Sequence, residues 1–251
     1  MRVNGEVHRL LLVLALALAA AAPAGAATTT IGSDLKGDAS FAIANPNDWS
    51  VWNAQLVTGG PATVPVDGEL NAVSIKGIAL QNSAGTPFVV HIQVLHPGST
   101  GGVSITVTSE ALAFPSSGDP QQITRFGRDA LDLSNTRMCV KKGDFVAFST
   151  NGGAEVTPPG VALQVFKRNP GSAMQVFKTS DGHYPGSFSG TTQESQELLM
   201  QAEIGTGANA RPFCGGTEGS GGGGGGGGAT PTPTVAPTAT ATPGGGPTPT
   251  P

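Results

Sequence analysis

Turn chemistry recurs so often between Thr28 and Cys214 that it limits the chain to short elements. VDGE, AGTP, HPGSTGG, PSSGDP, KKGD, NGG, TPPG, RNPG and SDGHYPG punctuate the stretch. Such clusters favour positive φ at Gly and Asn, fix φ at Pro, and let Asp and Ser bond their own backbone. Between the breaks, apolar residues follow a period of two. In SITVTS, Ile105 and Val107 fall on one face and Ser104, Thr106 and Thr108 on the other, as in a half-buried strand. PFVVHIQVLHP is apolar at both parities: Phe88, Val90, Ile92 and Val94 alternate with Val89, His91, Gln93 and Leu95. That pattern predicts a central strand covered on both faces. SVWNAQLV, ELNAVSIKGIAL, DFVAFST, VALQVFK, MQVFKTS and QELLMQAEI are further strand candidates. Short strands at this spacing predict an all-β fold, an antiparallel β-sandwich or jelly roll. ANPNDWSVW and GRDALDLSN could each hold a short helix, but neither sustains helical periodicity for long.

The 251-residue chain divides into four parts. Residues 1–26 have the layout of a secretory signal peptide: Arg2 and Arg9, an apolar run from Leu10 to Ala22, then small residues at Ala24, Gly25 and Ala26. The apolar run falls short of the roughly 20 residues that a membrane span requires. The expected product is therefore an exported chain cut near Ala26, extracellular or associated with the cell envelope, without a transmembrane anchor. Residues 27–214 hold the β domain. Residues 215–228 form a Gly-rich flexible linker, and 229–251 a Pro/Thr-rich tail that favours extended geometry at about 3.1 Å per residue. With little apolar surface to offset ordering entropy, the tail is expected to be disordered. A truncated reading frame, a free arm open to O-glycosylation, and an arm that contacts the wall by itself are three readings of such a spacer.

The leader carries two of the 13 basic and one of the 17 acidic residues, so the exported chain has a formal charge of about −5. A mildly acidic surface argues against nucleic acid or an anionic membrane as partner. Cys139 and Cys214 both lie in the exported part, where disulfides persist, and one bond between them is expected.

No set of residues reads as catalytic. GSFSG has phenylalanine where a serine-hydrolase elbow needs its nucleophile. Asp181 and His183 in SDGHYPG read as an Asp-Gly turn. His91 is expected inside a strand and His96, before Pro97, in a turn. No cofactor is expected: His91, His96 and His183 lack zinc-ligand spacing, and the one metal site the residues are compatible with is a structural calcium at Asp129, Asp132 and Asn135, whose oxygens suit a hard cation. Sugar-binding surfaces stack rings on exposed Trp or Tyr, which makes Trp49, Trp52 and Tyr184 the candidate ligand-binding residues, although core packing of at least one Trp is equally expected.

The runs VPVDGELNAVSIKG, PFVVHIQVLHP, CVKKGDFVAF and QELLMQAEI resemble a group of secreted β-sandwich proteins of high-GC actinobacteria and their relatives. In that group a Pro-x-Asp-Gly turn leads a strand, a Val-Leu-x-Pro strand end follows, and a Lys-x-Gly-Asp turn opens another strand. The resemblance implies export and a sandwich, and no particular activity. The expected function is that of a non-catalytic extracellular module binding a surface polymer, such as cell-wall polysaccharide, or a surface protein. A structural envelope protein is the first alternative. A secreted hydrolase, with Glu110 paired to Asp181 or Glu194 across a cleft, is the second.

Overall fold

The computed structural model describes residues 25–44, 49–80, 88–99, 101–132, 137–150, 161–178 and 187–215. The strands are β1 (Ala27–Gly32), β2 (Phe41–Ala44), β3 (Trp49–Gln55), β4 (Gly68–Lys76), β5 (Ile78–Leu80), β6 (Phe88–Pro97), β7 (Val103–Thr108), β8 (Leu112–Phe114), β9 (Ile123–Gly127), β10 (Cys139–Val140), β11 (Phe145–Ser149), β12 (Ala162–Lys178), β13 (Ser187–Phe188), β14 (Thr191–Leu198) and β15 (Met200–Thr206). A single helical turn, α1 (Arg128–Leu131), follows β9, and 3-10 turns at Gly207–Asn209 and Pro212–Cys214 follow β15. All the described pairings are antiparallel. The protein is all-β, as the turn spacing predicts.

Two sheets form. The smaller runs β1-β15-β4, with β9 and β10 sharing the far edge of β4. The larger runs β13-β7-β6-β11-β3-β12-β14, with β2 and β5 on β12 and β8 on β6. Leu70, Val73, Ile75 and Ile204 from the smaller sheet join Val51, Ile92, Val94, Phe148 and Val165 from the larger in one buried core. Trp52, Leu95, Ala147 and Phe177 alternate along the same strands with members of that core, and so point to the other face of the larger sheet. There they pack with Val103 and Ile105 in a second buried cluster. The double burial of β6 follows from its apolar residues at both parities.

Three sequence expectations are corrected. RNPG does not end a strand: β12 continues through it. The ladder to β14 absorbs the excess as a bulge, Arg168 pairing with Gln196 and Ala173 with Glu194. Pro170 lacks a donor and Gly171 sits at φ 88°, two features that a bulge accepts and a regular ladder does not. ANPNDWSVW contributes a strand from Trp49 rather than a helix, and its residues 45–48 lie outside the described residues. QELLMQAEI is divided at Leu199 between two sheets. The Leu199 N–H donates to Val165 O of the larger sheet, and its carbonyl accepts from Lys76 N of the smaller. A second crossing lies beside it at Gly77, between β4 and β5, with φ 133°. A Cβ at Gly77 would collide with the carbonyl of Gln164.

Candidate functional site

The end of the folded domain is fastened by a disulfide and by a cluster of charged side chains. Glu69 follows the first residue of β4 and is fully buried, an acid in a strand that otherwise buries Leu70, Ala72, Val73 and Ile75. Its register partner across the ladder is Cys139 of β10. Cys139 is bonded to Cys214, as the cysteine count predicts. Arg211, three residues before Cys214, turns back onto the same place. Its backbone N–H donates to Glu69 Oε2 at 2.6 Å, its Nε donates to Glu69 Oε1, and its Nη2 pairs with Asp132 Oδ2. Arg128 of α1 adds a longer contact to Glu69 at 3.6 Å and donates to Asn71 Oδ1 and to the carbonyl of Asn209. Phe213 lies between two guanidiniums, Arg211 at 4.8 Å and Arg137 at 5.2 Å from its ring centre.

Buried carboxylates require such partners, because an unpaired charge away from water is strongly destabilising. Burial of Arg211 opposes its protonated form, and the hydrogen bonds and charges of Glu69 and Asp132 outweigh that effect, so its pKa is raised. The cluster is a clamp. It holds Arg211–Cys214 to the smaller sheet directly ahead of the Gly-rich run.

The clamp also involves one of the calcium candidates. Asp132 caps the C-terminus of α1, and its carboxylate is committed to Arg211 and to the N–H of Arg137 at 2.8 Å. A cationic guanidinium in contact is the wrong neighbour for a divalent cation. Asp129 is exposed on α1, and Asn135 lies outside the described residues. Among the described residues, no group of three or more His, Cys, Asp or Glu side chains is placed to hold a metal.

The candidate ligand-binding residues separate. Trp52 is fully buried in the second cluster, against Phe145 and Phe177, and offers no face to a ligand. Alternation explains why: Trp52 shares its parity with Ser50, on the inner side of a buried row in which the Ser50 hydroxyl bonds Gln93 at 2.6 Å and Ser149 at 3.3 Å. Trp49 is half-buried at the start of β3. Its N–H donates to Thr150 Oγ1 at 3.1 Å, and the exposed Lys178, its register partner on β12, holds Nζ 4.7 Å from the ring centre. Trp49, Thr150 and Lys178 thus mark one rim of the larger sheet. Tyr184 lies outside the described residues, as do Asp181 and His183.

Of the two hydrolase pairings, Glu110 with Glu194 is not brought together, and Asp181 of the other lies outside the described residues. Glu110 follows β7 and Glu194 lies on β14, near opposite ends of the strand order of the larger sheet. With strands about 4.8 Å apart, five steps separate them by roughly 24 Å, beyond the span that two carboxylates use on one glycosidic bond. A recess between the sheets, lined by Ile31, Asn53, Val146, Met200 and Ala202, presents no ionisable group. Its one polar side chain, Asn53, is spent on both backbone groups of Leu198.

His91 is buried in β6 and bonds the carbonyl of Ser109 through Nδ1 at 2.8 Å, as its strand position predicts. His96 is corrected from a turn residue to a strand residue. Its Nδ1 meets Asp144 Oδ1 at 2.7 Å, and the imidazole is half exposed over a buried carboxylate. Asp144 also accepts from the Lys141 N–H in the KKGD turn. Neither this pair nor the Glu69–Arg211 clamp is visible in the sequence. The one available signal for the clamp is an acid next to Leu70 in a strand with a run of buried apolar residues, which points to a partner without naming it. No helix among the described residues is long and apolar enough to cross a membrane. Comparison of the chain with protein-family models, with curated proteins and with solved structures finds no match.

Proposed function

We propose that this chain is an exported, non-catalytic module of the cell envelope that attaches to a surface polymer or protein while held on its Gly/Pro/Thr-rich spacer. The observation that carries the reading is the clamp. A disulfide, two buried acids and three arginines converge on the last few residues before the spacer. Such reinforcement suits a domain that is loaded or attacked through its C-terminal end. The leader layout and a surviving disulfide fit export. The rim of Trp49 and Lys178 is the surface on which contact with a polymer is expected, since it sets an exposed cation beside a half-buried aromatic ring.

The test is retention of the leaderless chain on insoluble polysaccharides and on isolated cell walls. Retention that is lost in Trp49→Ala and in Lys178→Ala supports the reading and locates the contact. Failure to be retained on any of these materials overturns attachment and leaves the structural envelope protein as the alternative.

A further inference from the structure

We propose that Lys167 and Asp34 become joined by a side-chain amide, formed within the folded chain with Glu197 as proton carrier. Asp34 follows β1 of the smaller sheet by two residues, and Lys167 lies in β12 of the larger. Lys167 Nζ is 3.6 Å from Asp34 Oδ1 and 3.2 Å from Glu197 Oε1. The lysine side chain is 13 % exposed, that of Asp34 22 %, and the Glu197 carboxylate is fully buried. A nucleophile, an electrophile and a proton carrier therefore meet at a partly buried junction whose inner wall is the Glu197 carboxylate.

The surroundings hold each group in place. The Asp34 carboxylate accepts the Lys36 N–H at 2.9 Å, which fixes its orientation. Lys167 Nζ also donates to the carbonyl of Lys36 at 3.0 Å, and its stem runs beneath Gly37, where a Cβ would lie 3.6 Å from Lys167 Cδ. Leu35 takes φ 56°, a left-handed conformation that costs free energy in a leucine and persists only where its surroundings impose it. Glu197 is steadied by the Ser33 hydroxyl at 2.6 Å and by Asn169 Nδ2 at 2.5 Å.

The chemistry balances without a further reagent. Lys167 passes a proton to Glu197, and the neutral amine attacks Asp34 Cγ to form the C–N bond. One Asp34 C–O bond breaks. The departing oxygen takes two of the three protons of the original ammonium, one of them by way of Glu197, and leaves as water. Glu197 ends as it began, and nothing is oxidised or reduced. Fixed proximity makes the step unimolecular, and Glu197 is placed to carry the proton. The product is a covalent bridge between the two sheets at the N-terminal end of the domain. It does not depend on the attachment reading above.

Mass spectrometry of the purified, reduced and denatured full chain decides the matter, with tandem analysis of a protease digest. The chain is expected to be lighter than its sequence by one water, and one branched peptide to join Asp34 to Lys167. Asp34→Asn should yield the same product mass as the native chain, because ammonia then leaves in place of water. Lys167→Arg and Asp34→Ala should restore the full mass. Glu197→Gln should do so while the β circular dichroism spectrum persists. Two linear peptides at full mass in the native chain would overturn the proposal, and so would a bridge mapped to Glu197 instead of Asp34.

Discussion

At the residue scale, the largest energies reside in a few buried side chains. Trp52 fills the second cluster, so Trp52→Ala is expected to cost about 3–5 kcal/mol, read as a drop in the denaturation midpoint, with no change in retention on cell walls. Arg211→Ala leaves Glu69 and Asp132 buried without their principal partner, which is expected to cost roughly 3–5 kcal/mol. The pH dependence of that contribution has a definite sign. Because the folded state raises the Arg211 pKa above its ordinary value, the stabilisation is complete at every pH below the unfolded value and declines only as pH rises through the folded one. Equilibrium denaturation of native and Arg211→Ala chains from neutral to moderately alkaline pH should thus give a constant difference from this group.

At the scale of elements, the crossings between sheets carry the architecture. Gly77 is required at the first of them, since its φ of 133° and the facing Gln164 carbonyl exclude a side chain. Gly77→Ala is expected to lose at least roughly 1–3 kcal/mol from backbone strain alone, and more from the collision; thermal melting measures it. Most strands are legible in the sequence because period-two patterns and turn residues are local signals. What escapes it is non-local. RNPG carries every mark of a turn, yet the ladder of β14 extends across it, and only a partner strand distant in sequence decides that a bulge forms instead. Leu199 stands in an unbroken strand pattern, and its division between two sheets depends on Val165 and Lys76. The functional side chains are harder still. Trp49 and Trp52 look equivalent in sequence, and their parity relative to two facing cores separates them. Glu69, Arg211 and Asp132 are far apart in the chain, so their meeting has no sequence signature beyond the acid set among the apolar residues of β4.

At the scale of the whole molecule, the disulfide closes a separation of 75 residues, which corresponds to about 4 kcal/mol in the chain-entropy description. A Cys139→Ser, Cys214→Ser double variant should lower unfolding stability by about that amount, and the native chain under reductant should behave alike; coincident denaturation curves for oxidised and reduced protein would contradict this. The two ends of the domain also lie together. Asn209, just ahead of the clamp, donates to the Thr28 hydroxyl at 3.2 Å, and Ala27 pairs with Thr206. The strand entering the fold and the strand leaving it are thus neighbours in the smaller sheet.

Leu199 gives the molecule one more property. Its N–H belongs to one sheet and its carbonyl to the other, and beside it the chain passes from β4 to β5 at Gly77. Through Leu199 the backbone hydrogen bonding of the two sheets is continuous, beside the buried core that they share. Unfolding is therefore expected to be a single cooperative event, with indole fluorescence from the larger sheet and far-ultraviolet dichroism from both tracing the same curve. A protein built this way has no weak half to yield first.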